Sequence, residues 1–345
     1  MQQSKKTVSI KDVAAYVGLS VGTVSMALNN SEKIAEKTKV IVKKAAEELG
    51  FKKNPFARSL STQSSGMVGC IVPDLTNNFY GEMIAHLQHD FAELGYGLVV
   101  GCSNESSKME NKLIEQFLDK GVDGIITVPV SELNPELSEI KKLLNRDYPI
   151  VFISSYYREI PRYTVMCDLK DGMYKLAKEM LKQGHRNIVI VTGNKELVPS
   201  GERVEGLLKA LEEYNIKLDE SNFIQADKVT FIGGYSAINE IYNEKKPDLV
   251  LAINDIMAMG IISSLKSQKV KIPNDVSVTG FDDIAIAAFQ ETPLTTVSQS
   301  LSEMSKRAVK LLIDRINGKK KDFGVDRVGA EVVLRKSTKA IWIFL

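Results

Sequence analysis

The chain has 345 residues, 44% of them hydrophobic and 26% charged, with a formal net charge of +2. At about 100–200 residues per domain this length predicts two or three domains, and the apolar fraction excludes a disordered chain. There is no uninterrupted apolar run of ~18 residues, which excludes a transmembrane helix, and MQQSKKTVSIKDVAAYVG lacks the apolar stretch and cleavage site of a secretory signal. Cys70, Cys102 and Cys167 are widely spaced and odd in number, which predicts free thiols in a reducing cytoplasm and no disulfide framework or zinc site. The near-zero charge conceals an asymmetry. Residues 1–65 hold eleven Lys and Arg against five Asp and Glu, a net +6; the other 280 hold 34 against 38, a net −4. A basic head on a mildly acidic body is the pattern of a nucleic-acid module joined to something else, although a solvated lysine-rich helical face has the same composition.

In chain order, Ile10, Val13, Ala14 and Val17 recur at i, i+3, i+4 and i+7 and predict a first helix. Gly18 is placed to end it and Ser20 to cap a second over 21–29, with Val24 and Leu28 facing inward. A third is predicted over 36–49, with Val42, Ala45, Ala46 and Leu49 on its apolar stripe and Gly50 closing it. Two helices across a tight Gly-containing turn make a helix-turn-helix. Asn54–Pro55 is an N-cap and N1 pair, so a short helix should start there. Two turns are unstable alone, which makes it a conditional hinge helix before a flexible joint at 62–66. From Met67, strands at 67–72, 97–102, 122–128 and 149–154 alternate with helices near 80–94, 108–120 and 135–145. A second series begins with a strand at 164–167 and continues through strands at 187–193, 248–253 and 276–281, again with helices between. Continuous apolar strands alternating with helices mean parallel sheets covered on both faces. Two such series predict two doubly wound lobes with a cleft, where ligands sit beyond the carboxyl ends of the strands.

The ordered set SIKDVAAYVGLSVGTVSMALN (9–29), LGFKKNPFARSL (49–60), VPDLTNNFYGEM (72–83), VDGII (122–126), GHRNIVIVTG (184–193), RVEG (203–206), INDIMAMG (253–260), IPNDVSVTGFDD (272–283) and PLTTVSQ (293–299) resembles the lactose/galactose-repressor (LacI/GalR) family of bacterial transcription regulators. The resemblance covers nearly the whole chain. It implies a multidomain fold: an all-α helix-turn-helix headpiece (1–53), a hinge helix and linker (54–65), and a two-lobed α/β effector and dimerisation domain (66–345) similar to periplasmic sugar-binding proteins, with parallel doubly wound sheets. Because the chain of that fold crosses between lobes three times, the first lobe is assigned to about 66–163 and 294–325, the second to about 164–293 and 326–345. The function implied is that of a cytoplasmic repressor, not an enzyme, with a homodimer gripping double-stranded operator DNA under control of a sugar-like effector.

Gly22, Ser25, Met26 and Asn29 share the face of the second helix opposite the core, the face a helix-turn-helix lays in the major groove. By resemblance Ser9, Ser20, Val21, Gly22, Thr23, Ser25, Met26 and Asn29 are DNA contacts, and Thr38 and Lys39 lie near phosphate, where side chains position without specifying. Asn54, Arg58 and Leu60 continue the contacts into the hinge. Leu60 matches the leucine that wedges into the minor groove from paired hinge helices, which implies a dimer on a near-palindromic site. The chain departs from the family at Met26, where an arginine is common. Arginine is the usual bidentate reader of guanine, worth about 1–3 kcal/mol of discrimination. Methionine cannot make those bonds, so the half-site is expected to lack that guanine and to offer thymine methyls to Val21 and Met26. The alternative is that Met26 packs against the neighbouring helix.

A sugar-like ligand needs carboxylates, amides and guanidinium against its hydroxyls and an aromatic wall. The strand-end loops offer Asp74, Asn78, Phe79, Tyr80, Ser154, Arg203, Asn254, Asp255 and Asp282, and the crossover segment offers Gln299. Arg203 and Asp282 match the family's effector contacts. The alternative for Asp74 and Asp255 is a helix N-cap, and for Phe79 and Tyr80 simple core. No cofactor or metal is expected. GYGLVV (95–100) lacks the third glycine of a dinucleotide fingerprint, and neither a phosphate-binding loop nor a nucleophile elbow occurs. Glu82, His86 and His89 share a helix face, which reads as a polar, solvated face before a metal site. A solute-binding protein with the same two lobes, or a regulator switched by a partner protein, are the competing readings.

Overall fold

The computed structural model describes residues 8–51, 64–319 and 323–339. The chain divides into two units, Met1–Ser65 and Gly66–Leu345. In the first, α1 (Ile10–Val17) opens where the Asp12 carboxylate accepts from the Ser9 N–H at 2.8 Å and hydroxyl at 2.7 Å. It ends at Gly18, whose φ of 66° is left-handed and costs glycine little. α2 (Val21–Leu28) starts where Ser20 Oγ accepts from the Thr23 N–H at 3.1 Å. With α3 (Glu36–Glu48), these helices bury Val13, Ala14, Val24, Ala27, Val42, Ala45 and Ala46. Such small side chains let short helices approach closely but bury little area, so the unit is thinly stabilised. Asn54, Arg58 and Leu60, and the tail with Trp342, lie outside the described residues.

The second unit opens with β1 (Met67–Val72), α4 (Asn78–Glu93), β2 (Gly97–Cys102), α5 (Ser107–Asp119), β3 (Gly124–Thr127), α6 (Ser138–Asn145), β4 (Ile150–Ile153) and β5 (Thr164–Cys167). The second lobe follows with α7 (Leu169–Lys182), β6 (Ile188–Thr192), α8 (Val198–Glu213), β7 (Phe223–Gln225), α9 (Phe231–Lys245), β8 (Leu249–Ala252), α10 (Asp255–Ser267), β9 (Ser277–Thr279) and α11 (Ala285–Ala288). The closing segment is β10 (Thr296–Ser298), α12 (Leu301–Ile316), β11 (Val325–Val328) and β12 (Glu331–Val333). A six-stranded parallel sheet runs β11-β5-β4-β3-β1-β2, a four-stranded one β7-β6-β8-β9, and β10 pairs antiparallel with β12. β3, β4, β5, β6 and β8 are buried along their whole length, as strands covered on both faces must be. α12 returns to pack on α4 and on β3, β4 and β5.

Two strands fall on the other side of the expected lobe boundary. β5 pairs with β4 (Phe152↔Thr164, Ile153↔Val165), and β11 pairs with β5 from Val325↔Thr164. Both extend the first sheet, although the expected boundaries put residues from 164 and from 326 in the second lobe. The connection over 154–163 carries no helix. A parallel pair joined without one breaks the strand–helix alternation and so resembles a boundary. The chain instead crosses just after β5, at Asp168.

Under β3, Glu110 of α5 is fully buried, and its oxygens accept from the Thr127 and Tyr157 hydroxyls, each at 2.5 Å. Burial pushes its carboxyl up to about 7. His185, at the end of α7, is also fully buried and bridges Asp248 at 3.1 Å and the Lys339 carbonyl at 3.0 Å. Cys70 and Cys167 are buried free thiols and Cys102 is half-buried. Among the described residues no helix is long and apolar enough to cross a membrane.

Candidate nucleic-acid interface and ligand cleft

On α2, Val24 and Ala27 face the core, so the opposite side is presented outward. Val21 is 40% exposed and Met26 38%, with Gly22 and Asn29 exposed and Ser25 half-buried beside them. Met26 is therefore not a core residue. Ser20 and Thr23 are tied together at the cap, their hydroxyls 2.9 Å apart, and Ser9 is tied to Asp12, so these three shape helix starts through the same groups that were expected to meet DNA. Thr38 is half-buried. Lys39 lies along the core with its ammonium 2.7 Å from Glu36, whose carboxyl it holds below the usual range. Its charge is already partnered, which weakens it as a phosphate contact.

In the second unit the strand-end rule selects the cleft. Asp282 follows β9, is 5% exposed, and accepts from Arg203 Nη2 at 3.0 Å and Gln299 Nε2 at 2.6 Å. The Arg203 guanidinium lies 4.2 Å from the Phe281 ring centroid, so α8, the loop after β9 and the crossover strand converge on one buried cluster. Burial raises the Asp282 carboxyl, while Arg203 and Gln299 pull it back. Arg203 Nε and Gln299 Oε1 are buried without a partner among the described residues. An unsatisfied buried group costs about 1–3 kcal/mol, so these two atoms are able to pair with water or a hydrogen-bonding guest.

From the first lobe, Tyr80 of α4 is half-buried, edge-on to Phe79 at 5.4 Å. Its hydroxyl is pushed up by burial first, then by Glu105, Asp282 and Asp74, with Arg203 opposing, which places it among the charges of both lobes. Phe79 is core at 4% exposure, and Asn78 is exposed at the start of α4. The cap of α4 is Asn77, which accepts from the Phe79 N–H at 3.1 Å. Asp74 instead folds its own loop, Oδ1 accepting from the Thr76 N–H and hydroxyl, both at 2.7 Å. Ser154 has φ 70° and its N–H donates to Val165 at 2.9 Å, while its hydroxyl makes no hydrogen bond among the described residues.

Asn254 and Asp255 serve the framework. Asn254 caps α10, accepting from the Met257 N–H at 2.9 Å. Asp255 is fully buried and both its oxygens are taken, by the Thr296 hydroxyl at 2.5 Å and the Ile284 N–H at 2.9 Å. Burial and the nearby Asp282 raise its carboxyl strongly. It ties the crossover strand to the Asp282 loop and leaves nothing for a guest. Two residues outside the expected ligand set bear on the cleft. Glu105, in the loop after β2, accepts from the Ser131 N–H at 2.7 Å and has its carboxyl raised by burial; the strand-end rule applied to β2 finds it. Glu82 of α4, expected on a solvated face, accepts from the Ala285 N–H at 2.8 Å and so spans the lobes. Only the pairing reveals that. His89 meets Glu93 at 3.6 Å, and no group of metal-ligating side chains occurs among the described residues.

Residues 9–54 match the family described as bacterial regulatory proteins, lacI family, and residues 177–338 match a periplasmic binding protein-like domain. The chain is 30% identical over 333 residues to the HTH-type transcriptional regulator DegA of Bacillus subtilis, covering 96% of this chain and 98% of that one. It is 30% identical over 341 residues to the HTH-type transcriptional repressor CytR of Escherichia coli, covering 99% of each. Among solved structures, the lac repressor dimer bound to operator and the anti-inducer ONPF has the same fold, with a TM-score of 0.85 and 23% identity over 97% of this chain and all of that one. These relatives regulate transcription and are not enzymes. With a helix-turn-helix head, two parallel lobes and full-length kinship of this degree, the chain belongs to the LacI family of bacterial DNA-binding transcriptional regulators.

Proposed function

We propose that the chain is a cytoplasmic repressor that binds a near-palindromic operator as a homodimer, and that a neutral sugar or sugar derivative between the lobes sets its affinity for that DNA. The observation that carries the ligand reading is the buried Arg203–Asp282–Gln299 cluster with its two unpartnered polar atoms. A donor, an acceptor and a carboxylate in one place suit hydroxyl pairs, and Tyr80 supplies an aromatic wall. A guest touching Tyr80 and Asp282 together bridges both lobes and favours their closure. Coupling of about 1–3 kcal/mol to the DNA-binding head makes a several-fold to hundred-fold switch. The dimer reading is supported by apolar side chains on the second lobe, Phe289 at 85% and Ile232 at 68% exposure, whose contact with water a second copy would remove. An electrophoretic mobility shift with salt titration tests DNA binding, which should weaken steeply as salt rises. Absence of any shift sinks the reading in favour of a solute-binding module. A thermal-shift screen with sugars, sugar phosphates and nucleobases tests the ligand, because a bound guest raises the unfolding midpoint.

A further inference from the structure

A cavity of about 370 Å³ lies at the seam between the lobes, and neither Tyr80, Arg203, Asp282 nor Gln299 lines it. The first lobe contributes Arg158, from the loop after β4, and Arg327 of β11. The second contributes Lys170 of α7 and Glu202 and Glu205 of α8, while Asp168 stands at the crossing. Most of this charge is satisfied within the wall. Arg327 donates to both oxygens of Glu202 at 2.6 and 2.8 Å, from one lobe to the other, and Lys170 pairs with Glu205 at 2.9 Å. The charged groups of the wall with no ion-pair partner among the described residues are Arg158 and Asp168. Arg158 uses only Nε, on the Glu196 carbonyl at 3.0 Å, and Asp168 uses only Oδ1, on the Asp171 N–H at 3.0 Å, among the described residues.

An arginine fork with both terminal nitrogens free is a carboxylate receptor, and a free carboxylate oxygen is an ammonium receptor. A simple anion at Arg158 would meet Glu202 and Glu205, and a simple cation at Asp168 would meet Lys170 and Arg327. A molecule carrying both charges satisfies both vacancies. The volume is at the small end of ligand pockets and suits a single amino acid. We propose that this seam cavity is a second small-molecule site, distinct from the Asp282 cleft, and that it takes a zwitterion of amino-acid size through Arg158 and Asp168. Because its walls come from both lobes, an occupant favours their present arrangement and couples to any ligand of the main cleft. Binding at the seam is independent of what the main cleft holds; only the coupling rests on the proposed function.

Calorimetric titration of the full-length protein with each of the twenty standard L-amino acids at millimolar concentration tests this. At least one should bind, and Arg158→Gln and Asp168→Asn should each weaken it about tenfold or more, the scale of one charge-assisted pair. Both variants should fold, since Arg158 is exposed and asparagine also caps a helix. Asp282→Asn, which alters the main cleft, should leave amino-acid binding in place. The proposal is overturned if no amino acid binds, if the two seam variants bind as well as the parent, or if the Asp282 variant loses binding, which would put the amino acid in the main cleft.

Discussion

Asp282→Ala removes the acceptor on which the cleft is assembled. Arg203 is 7% exposed and Gln299 1%, and both donate to the same carboxylate oxygen. The substitution leaves a buried guanidinium without a counter-charge, a loss of about 3–5 kcal/mol in comparable buried pairs. It also orphans an amide N–H, about 1–3 kcal/mol more. The Arg203 stack on Phe281 survives and offsets about 0.5–2 kcal/mol. Water entering the cleft lowers the sum further, so a destabilisation of about 3 kcal/mol is expected. Removing the stranded charge as well, in Arg203→Met/Asp282→Ala, should recover at least about half of it, since an apolar side chain of similar volume is often neutral at a buried ion-pair position. The assay is urea unfolding of the parent, both single variants and the double, closing a double-mutant cycle. If the double variant is no more stable than Asp282→Ala, the stranded charge is not the cause and the reasoning fails.

Three further outcomes follow from particular residues. Val21 and Met26 are expected to touch thymine methyls, so replacing contacted thymines by uracil in a selected operator should cost about fourfold per methyl, from ~0.8 kcal/mol per buried carbon; a required guanine opposite α2, or indifference to every methyl, refutes this. Phe289→Asp should shift sedimentation from dimer to monomer without lowering stability of the monomer, because the ring is 85% exposed in the single chain; an intact dimer would remove this residue from the interface. Glu110 has its carboxyl raised from 4.5 to about 7, so the fold holds its proton more tightly than the unfolded chain does. That contribution is fully present below about pH 4.5 and is lost as pH rises through about 7, a few kcal/mol at ~1.4 per unit. Glu110→Gln should flatten this part of the dependence of urea midpoints on pH, and an unchanged slope would show that another group carries it.

The DNA-reading head was legible because its information is local. Ser20, Gly18 and the apolar spacing act within one or two turns, and the observed helices follow them. The alternation that revealed two lobes is local too, which is why it failed at β5 and β11, whose partners lie across a helix-free connection and at the far end of the chain. Asp255 and Asp282 look alike in sequence, each an aspartate just beyond an apolar strand. Tertiary structure separates them: Asp255 spends both oxygens on Thr296 and Ile284, whereas Asp282 gathers Arg203 and Gln299 into the cleft. Glu82, on a helix read as surface, becomes a contact between lobes only through Ala285, more than two hundred residues away. The basic head and acidic body were sequence facts from the start, and the family was legible in the ordered motifs. Which polar side chains remain available to a ligand was decided only by folding, because a buried group's role depends on whether distant partners have already used its hydrogen bonds.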